Sequence, residues 1–251
     1  MRTRVRGLAA IGAGLVLISG CSSSSSGHPL NLSAGATPLV TTEAPQDAAD
    51  VTLQGLAVSP QQMGTGWTSQ DVENGDEVNG EVTLDLCAQN FPSEDLRIGR
   101  HQFSLIPPGA SADSDQAVLE ELVAYNSGGA QQARNELLNA AAHCPPGLHQ
   151  LPEPGVPAAS FKITTLPANS SWLPGTVAVN VAATTSAGQK EDDIAIYQFQ
   201  GDFMAGVYAE TTDGKPDSDE LKAAAAAATL LKTATATTGT SAGPTAGSTA
   251  G

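Results

Sequence analysis

The feature that most limits what this chain can fold into is an apolar run that stops too early. Behind Arg2, Arg4 and Arg6, residues Leu8 to Ile18 form an uncharged stretch of about 11 residues, well short of the ~20 that a permanent membrane-spanning helix needs. The run ends on the small residues Ser19 and Gly20. A basic start, an apolar middle and a small-residue end are the layout of a bacterial export signal, which is cut off after translocation. The expectation is therefore a signal peptide over 1–20 and a fold built outside the cytoplasm from about 231 remaining residues, enough for one good-sized domain with polar ends.

The tetrad Ile18, Ser19, Gly20, Cys21 resembles the lipobox of bacterial lipoproteins. That resemblance implies diacylation of the Cys21 thiol, with fatty acids of the palmitate kind, and cleavage just before it. Cys21 would then anchor the chain in the lipid bilayer at the extracytoplasmic face of the cell membrane, since each buried methylene contributes about 0.8 kcal/mol and two chains hold far better than one. Residues 21–50 are serine, glycine, threonine and proline with few large apolar side chains, a composition that cannot bury enough surface to order itself. As a tether they reach on the order of 30 Å. Residues 237–251 read as a second polar, glycine-rich tail.

Losing the three leading arginines leaves eight basic residues against 26 acidic, a formal charge of −18. Nucleic acid and anionic headgroups would be repelled by such a surface, so neither is expected as a partner. Two cysteines remain, Cys87 and Cys144, and an exported chain meets an oxidising compartment in which they are expected to pair. The competing reading recruits His143 and His149 beside Cys144 to a metal, but one histidine pair and a distant cysteine lack a zinc spacing. No metal or cofactor is expected.

Between the tails, residues 51–236 mix periods of two and of 3.6. Glu81 to Leu86 alternates strictly and reads as a strand, as does Ile98 to Ile106 after a turn at Phe91 to Asp95. Phe161 to Leu166, Thr176 to Thr184, Asp192 to Gln200 and Phe203 to Thr211 read as an antiparallel meander, with Gly201-Asp202 as a two-residue hairpin turn. Gln116 to Tyr125 is ambiguous between helix and strand. Ala130 to His143 carries small and apolar residues at spacings of three and four, and Asp217 to Ala236 opens on a loose Asp217/Glu220 capping box. Ser59-Pro60 opens a short helical turn.

Convergent chemistry is sparse. None of the usual nucleophile, zinc-hydrolase, phosphate-loop or dinucleotide motifs occurs, and no serine stands out, so no catalytic residue is named. The acidic stretch Asp213 to Glu220 departs from the order of a calcium loop and fits helix capping. Arg97 and Arg100 are two of three arginines left after processing. One of them could clamp a carboxylate or phosphate, or both could pair with acids such as Glu94 and Asp95. Trp67 and Trp172 could line a pocket or pack in a core.

The run from Leu84 to Gln102 (LDLCAQNFPSEDLRIGRHQ), the apolar segment ending in Tyr125, the alanine-rich helix closed by Cys144 and the late hairpin before a terminal helix resemble the PknH-like extracellular sensor domain of actinobacteria. Cys87, Phe91, Pro92, Glu94 and Cys144 carry the match. Membership would imply an α+β fold, a twisted antiparallel sheet, here of about six strands packed by two main helices with one disulfide. It would also make Gln116 to Tyr125 a strand. A central cleft would hold an unknown ligand, here lined by Trp67, Phe91, Glu94, Arg97, Arg100 and Tyr125. The chain lacks the second disulfide of the kinase-attached members, and also their kinase domain and transmembrane helix. The expected function is a non-catalytic, membrane-tethered module that binds a small envelope ligand as sensor or carrier. An envelope protein scaffold and a hydrolase with an unrecognised site are the alternatives.

Overall fold

The computed structural model describes residues 52–237, except 80, 81, 85 and 151–156, and the side chains of 235–237 are left aside. Segments 1–51 and 238–251, with the expectations placed on them including Cys21, lie outside the described residues.

Seven strands form one antiparallel sheet: β1 (Thr68–Asp71), β2 (Arg97–Ile106), β3 (Val118–Tyr125), β4 (Ala159–Thr165), β5 (Val177–Thr185), β6 (Lys190–Gln200) and β7 (Phe203–Glu210), in the spatial order β1-β2-β3-β7-β6-β5-β4. Two meanders meet where β7 pairs with β3, Leu122 facing Ala205. Every strand but β1 and β4 is covered on both sides, so the alternating residues of β6 go to two different cores. Ile194 and Ile196 join the layer of helix α4 (Ser218–Thr237), while Ala195 and Tyr197 join the layer of helix α3 (Gly129–Ala142). A helical turn α1 (52–56) and the short α2 (Pro60–Met63) complete the α4 layer, and Lys222 Nζ on α4 donates to the Met63 carbonyl at 2.7 Å.

Local chemistry accounts for the helix ends. The Asp217 carboxylate accepts from the Asp219 and Glu220 amides, and Glu220 accepts in return from the Asp217 amide at 2.8 Å, a full capping box. Ser59 and Gln62 make the same reciprocal pair at α2. The alanine face of α4, Ala223, Ala224, Ala227 and Ala228, is fully buried; without bulk beyond Cβ, such a face lets the helix axis approach the sheet closely.

The sheet thus has seven strands where about six were expected, and among the described residues one expected strand does not form. β1 is wholly exposed and polar, the edge partner of the last residues of β2. Of the segment read as a strand from Glu81 to Leu86, the described residues 82–84 form no ladder, and Leu86–Ala88 is a 3-10 turn. Its amides are taken by a side chain instead: Thr83 N and Leu84 N donate to the two Glu94 carboxylate oxygens at 2.7 and 3.1 Å. Glu94 comes from a second 3-10 segment, Pro92–Leu96. Leu84 and Leu86 are buried as the alternation requires, while Val82 is exposed. The ambiguous Gln116 to Tyr125 segment is the strand β3.

Cys87 and Cys144 are joined, their Cα atoms 5.6 Å apart across a separation of 57 residues. The bond ties the Leu86–Ala88 turn, where Cys87 and Ala88 hold φ of 62° and 52°, to the end of α3. Non-glycine residues rarely hold that left-handed conformation. Closing a loop of this size stabilises the fold by roughly 4 kcal/mol on chain entropy alone. Cys144→Ala should lower the free energy of unfolding by about 2–4 kcal/mol, read from urea midpoints, and peptide mapping of the parent without reductant should yield a joined Cys87/Cys144 fragment.

Candidate functional site

Polar groups inside the α3 layer form a connected network. Glu121 on β3 accepts from Arg100 Nε at 2.5 Å, from Thr83 Oγ1 at 3.1 Å and from the Tyr208 hydroxyl at 3.3 Å. Gly206 stands directly across the ladder from Glu121. A Cβ there would collide with the Tyr208 ring, so glycine is what lets that ring fold over to the carboxylate. Arg97 donates from Nε to the Glu94 carbonyl at 3.1 Å, from Nη1 to Thr83 Oγ1 at 2.7 Å and from Nη2 to the Val78 carbonyl at 2.8 Å, with the Glu94 carboxylate 3.3 Å away. Burial raises the Glu94 carboxyl above its ordinary range, against the pull of the Arg97 guanidinium and the two amides. Burial likewise pushes the Tyr125 hydroxyl up, and its contact is Met204 Sδ at 3.9 Å.

Of the residues expected around one cleft, Phe91, Glu94, Arg97, Arg100 and Tyr125 thus stand in or beside this buried layer, and Trp67 packs at the margin of the opposite one. Of the two readings open for the arginines, the structure shows the pairing one, Arg97 with Glu94 and Arg100 with Glu121. Cys144 is in its disulfide, while His143 and His149 contact the Asn139 and Pro145 carbonyls. No metal-holding group of three or more histidine, cysteine or acidic residues occurs among the described residues.

A cleft of about 580 Å³ is formed by α3, the start of β5 and the 166–176 connection from β4, and none of the six expected residues lines it. Trp172, Leu173 and Val177 to Val179 are its buried floor, and Leu138, Ala168, Ser170 and Pro174 lie at its exposed rim. The connection is held in shape by its own polar atoms. Asn169 Oδ1 accepts from the Ser171 amide at 2.9 Å and hydroxyl at 2.8 Å, and Thr176 Oγ1 donates to the Leu173 carbonyl at 2.7 Å. Gln198, buried in β6, accepts from the Leu173 amide at 3.0 Å and donates to the Ala224 carbonyl of α4 at 2.7 Å. Arg134 Nε on α3 donates to the Gly175 carbonyl at 2.7 Å. These bonds fix the shape of the wall. Sequence reasoning weighed Trp172 but had no periodic signal for the loop that carries it.

A second buried acid lies in the α4 layer. Glu120 is fully buried among apolar side chains and accepts from the Val58 amide at 3.0 Å. Burial raises its carboxyl from the ordinary 4.5 to about 8, which that hydrogen bond only partly offsets. Glu220, beside Asp217 and Asp193, is likewise raised to about 8 by burial.

Two expectations follow. Unfolded, Glu120 loses its proton near pH 4.5; folded, it keeps it up to about pH 8. Between those values the folded state holds the extra proton, so stability falls as pH rises from about 4.5 toward 8 and levels off above. Glu120→Gln should bring the urea midpoints measured at about pH 5 and about pH 8 closer together than in the parent. Gly175 holds φ +80°, and a Cβ there would stand 3.0 Å from the Arg134 guanidinium. Gly175→Val should cost about 1–3 kcal/mol and speed amide hydrogen exchange within 166–176.

No protein-family model matches the chain, and no curated protein matches it. Among solved structures, the extracellular domain of PknH from Mycobacterium tuberculosis is similar to it, with 11% identity and a TM-score of 0.46 over 74% of this chain and 97% of that one. A likeness of that size carries no argument about ligand or mechanism. Among the described residues no helix is long and apolar enough to cross a membrane.

Proposed function

We propose that the chain is a membrane-anchored extracytoplasmic lipoprotein whose folded module binds a small envelope ligand without transforming it. The observation that carries this reading is the 580 Å³ cleft between α3 and the β4–β5 connection. Its volume falls inside the range of sites that enclose a drug-sized molecule. Its walls are fixed by Arg134, Asn169, Thr176 and Gln198 rather than by packing alone. Rigid walls spare a ligand the ordering cost that a mobile loop would impose.

Export and anchoring rest on the sequence. The short apolar run, the lipobox-like tetrad at Cys21 and the polar stretch after it supply an address and a tether, and a crosslink between Cys87 and Cys144 suits an oxidising compartment. The resemblance to a sensor domain adds the idea that occupancy is reported to another envelope component.

Native mass spectrometry of the protein isolated from its host should show a retained mass that denaturation releases, and the melting temperature should drop once that mass is removed. Cys21→Ala should leave the protein unacylated and release it from the membrane fraction. Membrane retention with fatty-acid labelling in that variant would overturn the anchoring, and a protein that carries no ligand from any host fraction would overturn the binding role.

A further inference from the structure

We infer that the cleft takes an uncharged lipid: a single apolar chain with one hydrogen-bond acceptor, such as an ester or amide carbonyl, near its buried end. This deepens the binding role proposed above and rests on it.

Charge is the first argument. None of the side chains lining the cleft is an aspartate, glutamate, lysine or arginine, in a molecule with 26 acidic residues. A carboxylate or phosphate entering the floor would lose its water and gain no counter-charge, and an ammonium would fare no better. Arg134, which borders the connection, has its Nε committed to the Gly175 carbonyl.

Polar satisfaction is the second. A sugar or a nucleoside is recognised by several donors and acceptors pointing at it, and much of the polar capacity of this wall is bonded within the wall, with Thr165 and Ser170 adding two hydroxyls at exposed positions. The Asn169 carbonyl oxygen holds Ser171, the Thr176 hydroxyl holds Leu173, and the Leu173 amide is bonded to Gln198. One donor differs. The Trp172 indole Nε1 is buried and has no hydrogen-bond partner among the described residues, although the residue is only 6% exposed. A buried N–H without an acceptor costs roughly 1–3 kcal/mol. Trp172 lines the cleft, and a carbonyl or ether oxygen of a chain seated against it would satisfy that N–H by displacing the atoms now packed over it.

Uncovered apolar surface is the third. Leu138, on the α3 side of the cleft, leaves 43% of its surface in water, and the half-buried Ala141 and Leu166 and the exposed Pro174 continue the apolar lining. An aliphatic chain lying along that lining would cover what the protein leaves bare. A module tethered within on the order of 30 Å of a bilayer stands close to a source of such chains.

The test uses the full chain bearing Cys21→Ser, to keep it free of its own acyl groups, and Trp67→Phe, to leave Trp172 as the sole tryptophan. The probe is a monoacylglycerol brominated at mid-chain, below its aggregation threshold, because bromine quenches indole emission only on close approach. Saturable quenching of Trp172, reversed by the unbrominated monoacylglycerol, is the expected result. Leu138→Glu, a change at an exposed position, should weaken the probe about tenfold or more with an unchanged melting temperature. Tighter quenching by the corresponding brominated fatty-acid anion would overturn the uncharged class. Quenching that is absent, or indifferent to Leu138→Glu, would overturn the site. If the probe fails while a polar mass is retained in native mass spectrometry, the lipid assignment falls and the binding role stands; if neither is seen, both fall.

Discussion

Glu120 and Glu121 follow one another on β3, a strand covered on both faces, so the pleat sends them into opposite layers where neither meets water. A buried carboxylate must be paired or keep its proton, because leaving it charged and alone costs several kcal/mol. The two glutamates take different routes. Glu121 is ion-paired with Arg100 and bonded to Thr83 and Tyr208, whereas Glu120 has the Val58 amide and a carboxyl raised to about 8. Each solution recruits chain from outside the sheet. Thr83 belongs to the irregular segment before Cys87, and Val58 follows α1. The placement of both segments therefore follows from two adjacent acids in the centre of the sheet.

The cleft is built on another principle. Its wall is a connection between neighbouring antiparallel strands that is far longer than a hairpin needs, and side-chain amides, a hydroxyl and a guanidinium hold it open. Gln198 is the most economical of these, since one buried amide group bonds both the connection and α4. The α3 layer contributes Arg134 from above. Sheet and helices supply rigidity, and the connection supplies shape, a division common to ligand sites on loops carried by a scaffold.

Much of this was legible in the residues. Alternation located β2 and β4 to β7, the Gly201-Asp202 turn set the last hairpin, and alanine spacing with the Asp217/Glu220 box located both main helices. The failures have physical causes. The run from Glu81 to Leu86 alternates like a strand, yet the amides of Thr83 and Leu84 are bonded by a carboxylate eleven and ten residues on, and a side chain that replaces a ladder leaves no periodic trace. β1 is four polar, exposed residues whose pairing comes from the end of β2 rather than from any apolar pattern of its own. The arginines were open to two readings on sequence alone, and what the structure adds is that both of those on β2 are paired with acids. The cleft draws on Leu166, Trp172 and Pro174, which are spread through a loop with no repeat to reveal them.

The position of Val58 has a mechanical consequence. Tension drawn through residue 52 would first load α1 and the short run to Val58, which are fastened to the α4 layer by Leu53, Leu56 and the hydrogen bond to Glu120 on β3. The cleft stands at β4 and β5, with β7 and β6 between. A pull on that end would spend itself peeling a few turns at one flank while the far flank kept its shape.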